Sequence, residues 1–491
     1  MKFHLMQTGV VGRRHEIEQG MAGQRPELYQ RFLEEVRGYV KHADELGYYG
    51  YCQPEHHLQI EGFEANNHPG MFSLFVGQHC KRMKAGIMGY TMTTHNPVRV
   101  AEEIATLDHM LQGRLYCGFT RGYHARWVDA YGIKEGVGAT TPDNVKARDQ
   151  QDARNRSLFE EGVRVIKKAW TNDVFDHKGE NWQFPPEGGS GGHPAYAKYG
   201  KGQDAEGIVR QIGIAPRCYQ EPHPPIYGGF AASGRTIDFW AEEEGKLIVL
   251  SDNLDFCDSL NKRYIGHAAK HGRDVTSADA SAWGGFLMLT NDKERAKKLM
   301  EEHMWFWDEW FIPLGQRPPN VLIGSADEIA DQIGKAHDKL GFDELFLMFG
   351  QGHLEPDENH AELEEFMAKV APRFSTKAAD GTYVYAPNFG AEGIDAYKKT
   401  LDGIGTFFSA TTHHVSNVCV DFINDNEARV RAVVMAIHRY AKERPDGFLY
   451  GQYHDIVVKE GGAWKFKTRI LKTTMATDYH VRASNPVGRM P

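Results

Sequence analysis

The chain has 491 residues, 41% of them hydrophobic and 25% charged, with a formal net charge of −9. This ordinary globular balance excludes the disordered, collagen-like and disulfide-stapled classes. The acidic surplus, without any block of consecutive Lys or Arg, argues against nucleic acid as a partner. The opening residues Met1-Lys2-Phe3-His4-Leu5-Met6 soon meet polar ones, and no later run approaches about 18 apolar residues, so a cytoplasmic protein with no membrane partner is expected. The six cysteines (Cys52, Cys80, Cys117, Cys218, Cys257 and Cys419) are scattered without a C-x-x-C pair and are read as reduced, buried, small apolar residues.

An apolar run from Phe3 to Met6 opens the chain, followed by a helical pattern from Pro26 to Leu46. Leu28, Phe32, Val36, Tyr39, Val40 and Ala43 recur there at three and four residues, Pro26 suits a first turn, and Gly47 suits an exit. The next strand candidates are Tyr49 to Gln53, Ala85 to Thr91, Arg114 to Phe119, Pro225 to Gly229, Leu247 to Leu250, Gly284 to Leu289 and Glu344 to Phe349, eight with the first. Helical patterns lie between most of them: Val98 to Met110, Arg156 to Trp170, Thr236 to Glu244, Lys293 to Trp310 and Ala326 to Leu340. Eight beta-alpha steps predict an α/β fold, a closed (β/α)8 TIM barrel with insertions. The rival, a doubly wound open sheet, would carry a Gly-rich first turn, and Gln7-Thr8-Gly9-Val10-Val11-Gly12 lacks that fingerprint.

The connection from about Asp173 to His223 contains Pro185-Pro186-Glu187-Gly188-Gly189-Ser190-Gly191-Gly192-His193-Pro194, which is expected to hold no regular structure. A segment this long is either a lid over the active face or a passive surface insertion. After Pro372 the pattern changes to Gly381 to Tyr385, a helix from Glu392 to Leu401, and extended runs His414 to Phe422, Arg429 to Tyr440, Leu449 to Val458 and Ala463 to Lys472. With the hairpin signal Glu460-Gly461-Gly462, these predict a smaller antiparallel α+β unit, and the domains are placed at 1–372 and 373–491.

The second strand ends Gln53-Pro54-Glu55-His56-His57, at the barrel end where such enzymes keep their chemistry. No metal is expected: neighbouring strand residues point to opposite faces, so Glu55 and His57 do not readily chelate together with His56, and no third ligand stands at a recognisable spacing. Arg121 follows the fourth strand, in Thr120-Arg121-Gly122, and calls for an anion, either a phosphate or a structural carboxylate. The segment Gly228-Gly229-Phe230-Ala231-Ala232-Ser233-Gly234-Arg235-Thr236 follows the fifth strand and opens a helix. Its small residues and hydroxyls suit one phosphate of a small cofactor, though Ser233 also fits a plain N-cap. The aromatic run from Met304 to Phe311 is too apolar for a solvated helix; it either lines a substrate pocket or packs against the C-terminal domain or a second subunit.

Glu55-His56-His57, Thr94-His95-Asn96-Pro97-Val98-Arg99, Leu107-Asp108 with Gly113-Arg114, Thr120-Arg121-Gly122, Pro222-His223-Pro224-Pro225 and Gly324-Ser325-Ala326-Asp327-Glu328 together resemble the bacterial-luciferase-like flavin monooxygenases over residues 1 to about 373. The resemblance implies reduced FMN on the C-terminal face of the barrel, reacting with O2 to give a flavin hydroperoxide. By position it makes His56, with Glu55, catalytic and gives Thr120, Arg121, Arg156, Ala232, Ser233 and Thr236 to the cofactor. Asn96 replaces the family's usual His, and Thr120 stands where luciferase itself has a cysteine, which separates this chain from light emission. With no nicotinamide fingerprint, reduced FMN is expected from a separate NAD(P)H-dependent flavin reductase, and family habit implies a homodimer. After Pro372 the chain resembles, more weakly, the SnoaL-like cone-shaped fold, in which His414, His454 and Asp455 would form an acid/base group unless the unit is structural or dimerising.

The function expected is that of a two-component FMN-dependent monooxygenase acting on a small, mostly apolar organic substrate. The competing readings are a deazaflavin-dependent hydride-transfer oxidoreductase, a non-catalytic flavin-binding assembly protein, and a SnoaL-like cyclase or isomerase. Thr120-Arg121-Gly122 with Arg156 favours FMN over deazaflavin.

Overall fold

The computed structural model describes residues 1–138, 145–229, 233–352, 354–374, 376–377, 383–384, 408–440 and 446–479. They divide into two compact units, Met1–Arg373 and Phe374–Pro491.

The first unit has nine parallel strands: β1 (Lys2–Met6), β2 (Gly50–Gln53), β3 (Lys84–Thr91), β4 (Leu115–Thr120), β5 (Ile226–Gly229), β6 (Lys246–Val249), β7 (Ser281–Leu289), β8 (Val321–Gly324) and β9 (Glu344–Met348). Eight of them, β1 to β7 and β9, pair each with the next, and β9 returns to β1, closing the predicted barrel. The unforeseen β8 pairs with Phe286–Leu289 of β7, beyond the stretch Ser281–Trp283 that faces β6. β7 also starts at Ser281, three residues before the expected Gly284. A Cβ there would lie 1.9 Å from the Phe346 carbonyl oxygen, so the glycine is what lets β9 approach.

The longer helices are α1 (Pro26–Leu46), α2 (Pro69–His79), α3 (Pro97–Met110), α4 (Ala125–Tyr131), α5 (Val145–Thr171), α6 (Gly234–Glu243), α7 (Leu254–Lys270), α8 (Lys293–Phe306), α9 (Ala326–Leu340) and α10 (Pro356–Glu365). α1 buries the stripe Leu28, Phe32, Val36, Tyr39, Val40 and Ala43 and ends at Gly47 with φ 92°, as its periodicity predicts. α2 was not foreseen: its run Pro69-Gly70-Met71-Phe72-Ser73-Leu74-Phe75-Val76-Gly77 carries apolar residues all round and two glycines, so it has no helical period to read.

The insertion is more ordered than its composition suggests. His177–Lys178 pairs with Gln183–Phe184 and Ser190–Gly191 with Ile208–Val209, while Pro194–Tyr199 is a short helix capped by His193. The expectation of no regular structure over Pro185 to Pro194 is therefore corrected. Gly189, at φ 87°, turns the chain into a pairing, and Pro194 sits in the first helical turn, where no N–H is needed. The insertion is tied to α5, where Glu161 accepts the N–H groups of Asn181 and Trp182, each at 2.8 Å. All six cysteines are free; four are buried, but Cys218 is half-buried and Cys419 exposed, against the expectation for those two. Among the described residues no helix is long and apolar enough to cross a membrane.

Buried acids shape the pH response of this fold. Glu362 of α10 is 6% exposed and accepts the Leu289 N–H at 2.8 Å; burial pushes it up to about 8. Its folded affinity for a proton exceeds the unfolded one, so it costs stability progressively as pH rises from about 4.5 through about 8. Glu362→Gln keeps the acceptor and removes the charge. Urea unfolding should find it near neutral at about pH 5 and stabilising by about 3–5 kcal/mol at about pH 9; equal effects at the two pH values would show that Glu362 titrates normally.

The second unit is an antiparallel meander of β10 (Phe408–Asn424), β11 (Glu427–Tyr440), β12 (Asp446–Glu460) and β13 (Ala463–Tyr479). The β12–β13 turn places Gly461 and Gly462 at φ 59° and 82°, the left-handed pair that a two-residue hairpin needs. Of the predicted run Gly381 to Tyr385 only Tyr383–Val384 is described, paired with Thr376–Lys377. The predicted helix Glu392 to Leu401 lies outside the described residues.

Candidate functional site

The chain leaves β2 through Pro54 and sets Glu55 and His56 in the barrel mouth, both buried. Glu55 Oε1 lies 2.6 Å from Nε2 of both His57 and His95, and Oε2 accepts the Thr91 N–H at 2.7 Å. Burial alone would raise this carboxyl, but the two imidazoles hold it at about 2, and the carboxylate in turn raises His95 against its own burial. Residues two apart on an extended strand share a side, so Glu55 meets His57 while His56 points elsewhere. The third member, His95, comes from the loop after β3, a separation with no spacing signature in the sequence. The three side chains are placed closely enough to suit a metal, but the hydrogen bonds already account for the arrangement.

His56 Nδ1 instead approaches Glu64 Oε1 at 3.2 Å. Glu64 Oε2 accepts from the Tyr123 hydroxyl and, at 2.8 Å, from Trp310 Nε1. Burial lowers His56 to about 3 and raises Glu64 to about 7, so both are neutral in mildly acidic solution. His56 and His57, with Leu58, Ile60, Tyr29 and Tyr131, line a pocket of about 230 Å³. The aromatic run after α8 does not line that pocket. Trp310 stacks on Phe63 with ring centroids 5.2 Å apart and Phe311 lies against Tyr123 at 6.3 Å, so the run covers the loop after β2 from within the barrel unit.

Across the same strand ends stands a cationic cradle. Arg121, just past β4, and Arg156 of α5 both reach Asp152, the first through Nη1 and the second from 3.4 Å. Arg156 is 7% exposed and donates from Nη1 to Thr236 Oγ1 at 3.1 Å; Thr236 Oγ1 lies 2.7 Å from Ser233 Oγ, which caps α6. Burial and then the neighbouring Arg121 lower Arg156, while Asp152 and Glu160, whose Oε1 lies 3.9 Å from Arg156 Nη1, act in the other direction. Two guanidinium groups and two hydroxyls at the N-terminus of a ten-residue helix fit a phosphate. Of the two sequence readings of Arg121, the carboxylate partner is the one observed, in Asp152. Thr120 Oγ1 lies 3.4 Å from Thr91 Oγ1 at the mouth. Ala232 lies outside the described residues.

The structure thus places Glu55 with His57 and His95, His56 with Glu64, and gathers Arg121, Arg156, Ser233 and Thr236 in a third group. Glu64 and Tyr123, absent from the sequence reading, sit in irregular segments, where no periodicity marks a side chain as inward-facing. Asn96, in place of the usual His, caps α3 by accepting the N–H groups of Val98 and Arg99 at 3.0 and 3.4 Å. In the second unit the expected group is corrected. The strand register puts His414 and His454 on the face opposite Asp455, because His454 and Asp455 are neighbours on one strand. On the Asp455 face, Arg469 binds Asp455 at 3.0 Å, and His413 Nδ1 lies 3.3 Å from the Tyr453 hydroxyl.

Residues 15–317 match the luciferase-like monooxygenases, and the chain belongs to that family; residues 375–470 match the SnoaL-like domain. The oxygenase component of a flavin-dependent trigonelline monooxygenase from Acinetobacter baylyi is 22% identical over 368 residues, 69% of this chain and 89% of that protein. The oxygenating constituent of 3,6-diketocamphane monooxygenase from Pseudomonas putida, solved with FMN, is 17% identical at a TM-score of 0.57, over 76% of this chain and 98% of that one. In the C-terminal unit, a putative scytalone dehydratase from Novosphingobium aromaticivorans is 60% identical over 25% of this chain and 81% of that one, with a TM-score of 0.19.

Proposed function

We propose that this chain is the oxygenase of a two-component system, taking reduced FMN from a separate NAD(P)H-dependent flavin reductase and using O2 to oxygenate a small, mostly apolar organic substrate. The observation that carries this reading is the juxtaposition, at one barrel end, of the Arg121–Arg156 cradle and the pocket walled by His56. In it Arg121, Arg156, Ser233 and Thr236 bind the FMN phosphate, with the α6 N-terminus adding its dipole. Bound reduced FMN supplies the electrons that activate O2 for insertion of one oxygen atom. His56 holds or moves a proton at Nε2, its nitrogen not turned towards Glu64. Leu58, Ile60, Tyr29 and Tyr131 offer an apolar substrate a surface beside His56. Assembly as a homodimer belongs to the same reading.

Anaerobic titration of the full-length protein with reduced FMN and with a reduced deazaflavin cofactor, followed by fluorescence, separates this reading from hydride transfer. Reduced FMN is expected to bind the tighter of the two and, on admission of air, to support protein-dependent oxygen consumption. Preference for the deazaflavin, or binding without oxygen consumption, would transfer the chain to one of the other readings.

A further inference from the structure

We propose that Glu64 is a positioning residue for His56: its carboxyl group exchanges a proton with His56 Nδ1 and so decides whether Nε2 is an N–H donor or a lone pair. The proposal rests on His56 being the proton-handling residue.

The geometry leaves Glu64 few other roles. Its Oε2 is occupied by the Tyr123 hydroxyl and Trp310 Nε1–H, which fixes the plane of the carboxyl group. Oε1 then stands 3.2 Å from His56 Nδ1, and neither of these two buried atoms has a hydrogen-bond partner among the described residues, so each faces the other as the nearest group able to satisfy it once the ring or carboxyl turns into line. Glu64 is 1% and His56 7% exposed, so water does not replace the missing proton between them at low cost. The other ionisable groups around the pair do not compete. Glu55 is held by His57, His95 and the Thr91 N–H, Tyr123 is raised by burial and stays a hydroxyl, and His124 is lowered by burial and then by Arg126.

Two arrangements satisfy both atoms. With Glu64 protonated, Oε1–H donates to Nδ1 and His56 carries its own proton on Nε2. When that Nε2 proton leaves to an acceptor in the pocket, the Glu64 proton crosses to Nδ1; the carboxylate then accepts from Nδ1–H and Nε2 keeps a lone pair. One proton leaves the pair and nothing is oxidised or reduced. The raised affinity of Glu64 for a proton, near pH 7, puts both forms within reach of neutral solution.

The test is long-range ¹⁵N–¹H correlation spectroscopy of the full-length protein labelled on histidine, with His56→Gln identifying the resonances. His56 is expected to change from the Nε2–H to the Nδ1–H tautomer with a midpoint near pH 7. In Glu64→Gln the two donors on Oε2 force the amide oxygen to that side, the NH2 faces Nδ1, and His56 should stay Nε2–H throughout. Tyr123→Phe removes one donor that favours the carboxylate and should move the midpoint upward. A wild-type His56 with one tautomer at every pH, or a switch that persists in Glu64→Gln, overturns the proposal. The pH profile of FMN-dependent oxygen consumption separates the two readings: a tautomer switch without any kinetic effect of His56→Gln would sink the catalytic reading and leave the Glu64 coupling in place.

Discussion

His56→Ala is expected to lower protein-dependent, reduced-FMN-linked oxygen consumption by about 10²–10⁴-fold, the range by which a positioned acid/base group accelerates a reaction. The substitution removes the imidazole that both faces Glu64 and lines the pocket, and leaves the Glu55–His57–His95 group intact. Affinity for reduced FMN should stay within about threefold, because the cradle is built from β4, α5 and α6, which share no hydrogen bond with His56. Rates and fluorescence titrations, with circular dichroism to confirm the fold, check both halves. Unchanged oxygen consumption in a folded variant would remove His56 from the chemistry. A large loss of affinity would show that the imidazole contacts the cofactor itself.

Arg156→Met is expected to have the opposite pattern. A hydrogen bond to a charged group contributes about 1.5–3 kcal/mol, so Kd for reduced FMN should rise about 10- to 100-fold. The rate at saturating FMN should change little. Arg156→Lys keeps the charge but loses the planar fork and should fall between the two. Riboflavin, which lacks the phosphate, is the control: its affinity should be indifferent to all three side chains. If Arg156→Met weakened riboflavin and FMN equally, the guanidinium would be supporting the fold of α5, where it also reaches Asp152, and would not be reading a phosphate.

The contrast between the variants follows from how the mouth is built. Arg121 and Arg156 do not line the His56 pocket, and Asp152 keeps the two cations side by side. Anchoring and proton handling are thus separate tasks of separate strands, the usual division on a barrel whose loops arise from different beta-alpha steps.

The barrel was legible in the sequence because strand and helix alternate with clear periods and each strand is locally apolar; α1 and β9 are found where the pattern puts them. The cradle was legible because it lies at motif positions, Thr120-Arg121-Gly122 and Ser233 to Thr236, beside regular elements. The strand register in the second unit was not, since a shift of one residue exchanges the faces and moves His414 and His454 away from Asp455. Nor was the contact of Glu55 with His95, which lies 40 residues along the chain.

By itself the sequence determined the eight-step alternation, the change to an antiparallel pattern in the last part of the chain, and the residue types available at the strand ends. Only the tertiary structure decided which of those residues meet. Hydrophobic periodicity encodes which face of an element turns inward. It does not say which irregular loops fold back together, and it is two loop residues, Glu64 and Tyr123, joined by Trp310 from the helical turn Trp307–Phe311, that burial turns into the surroundings of His56.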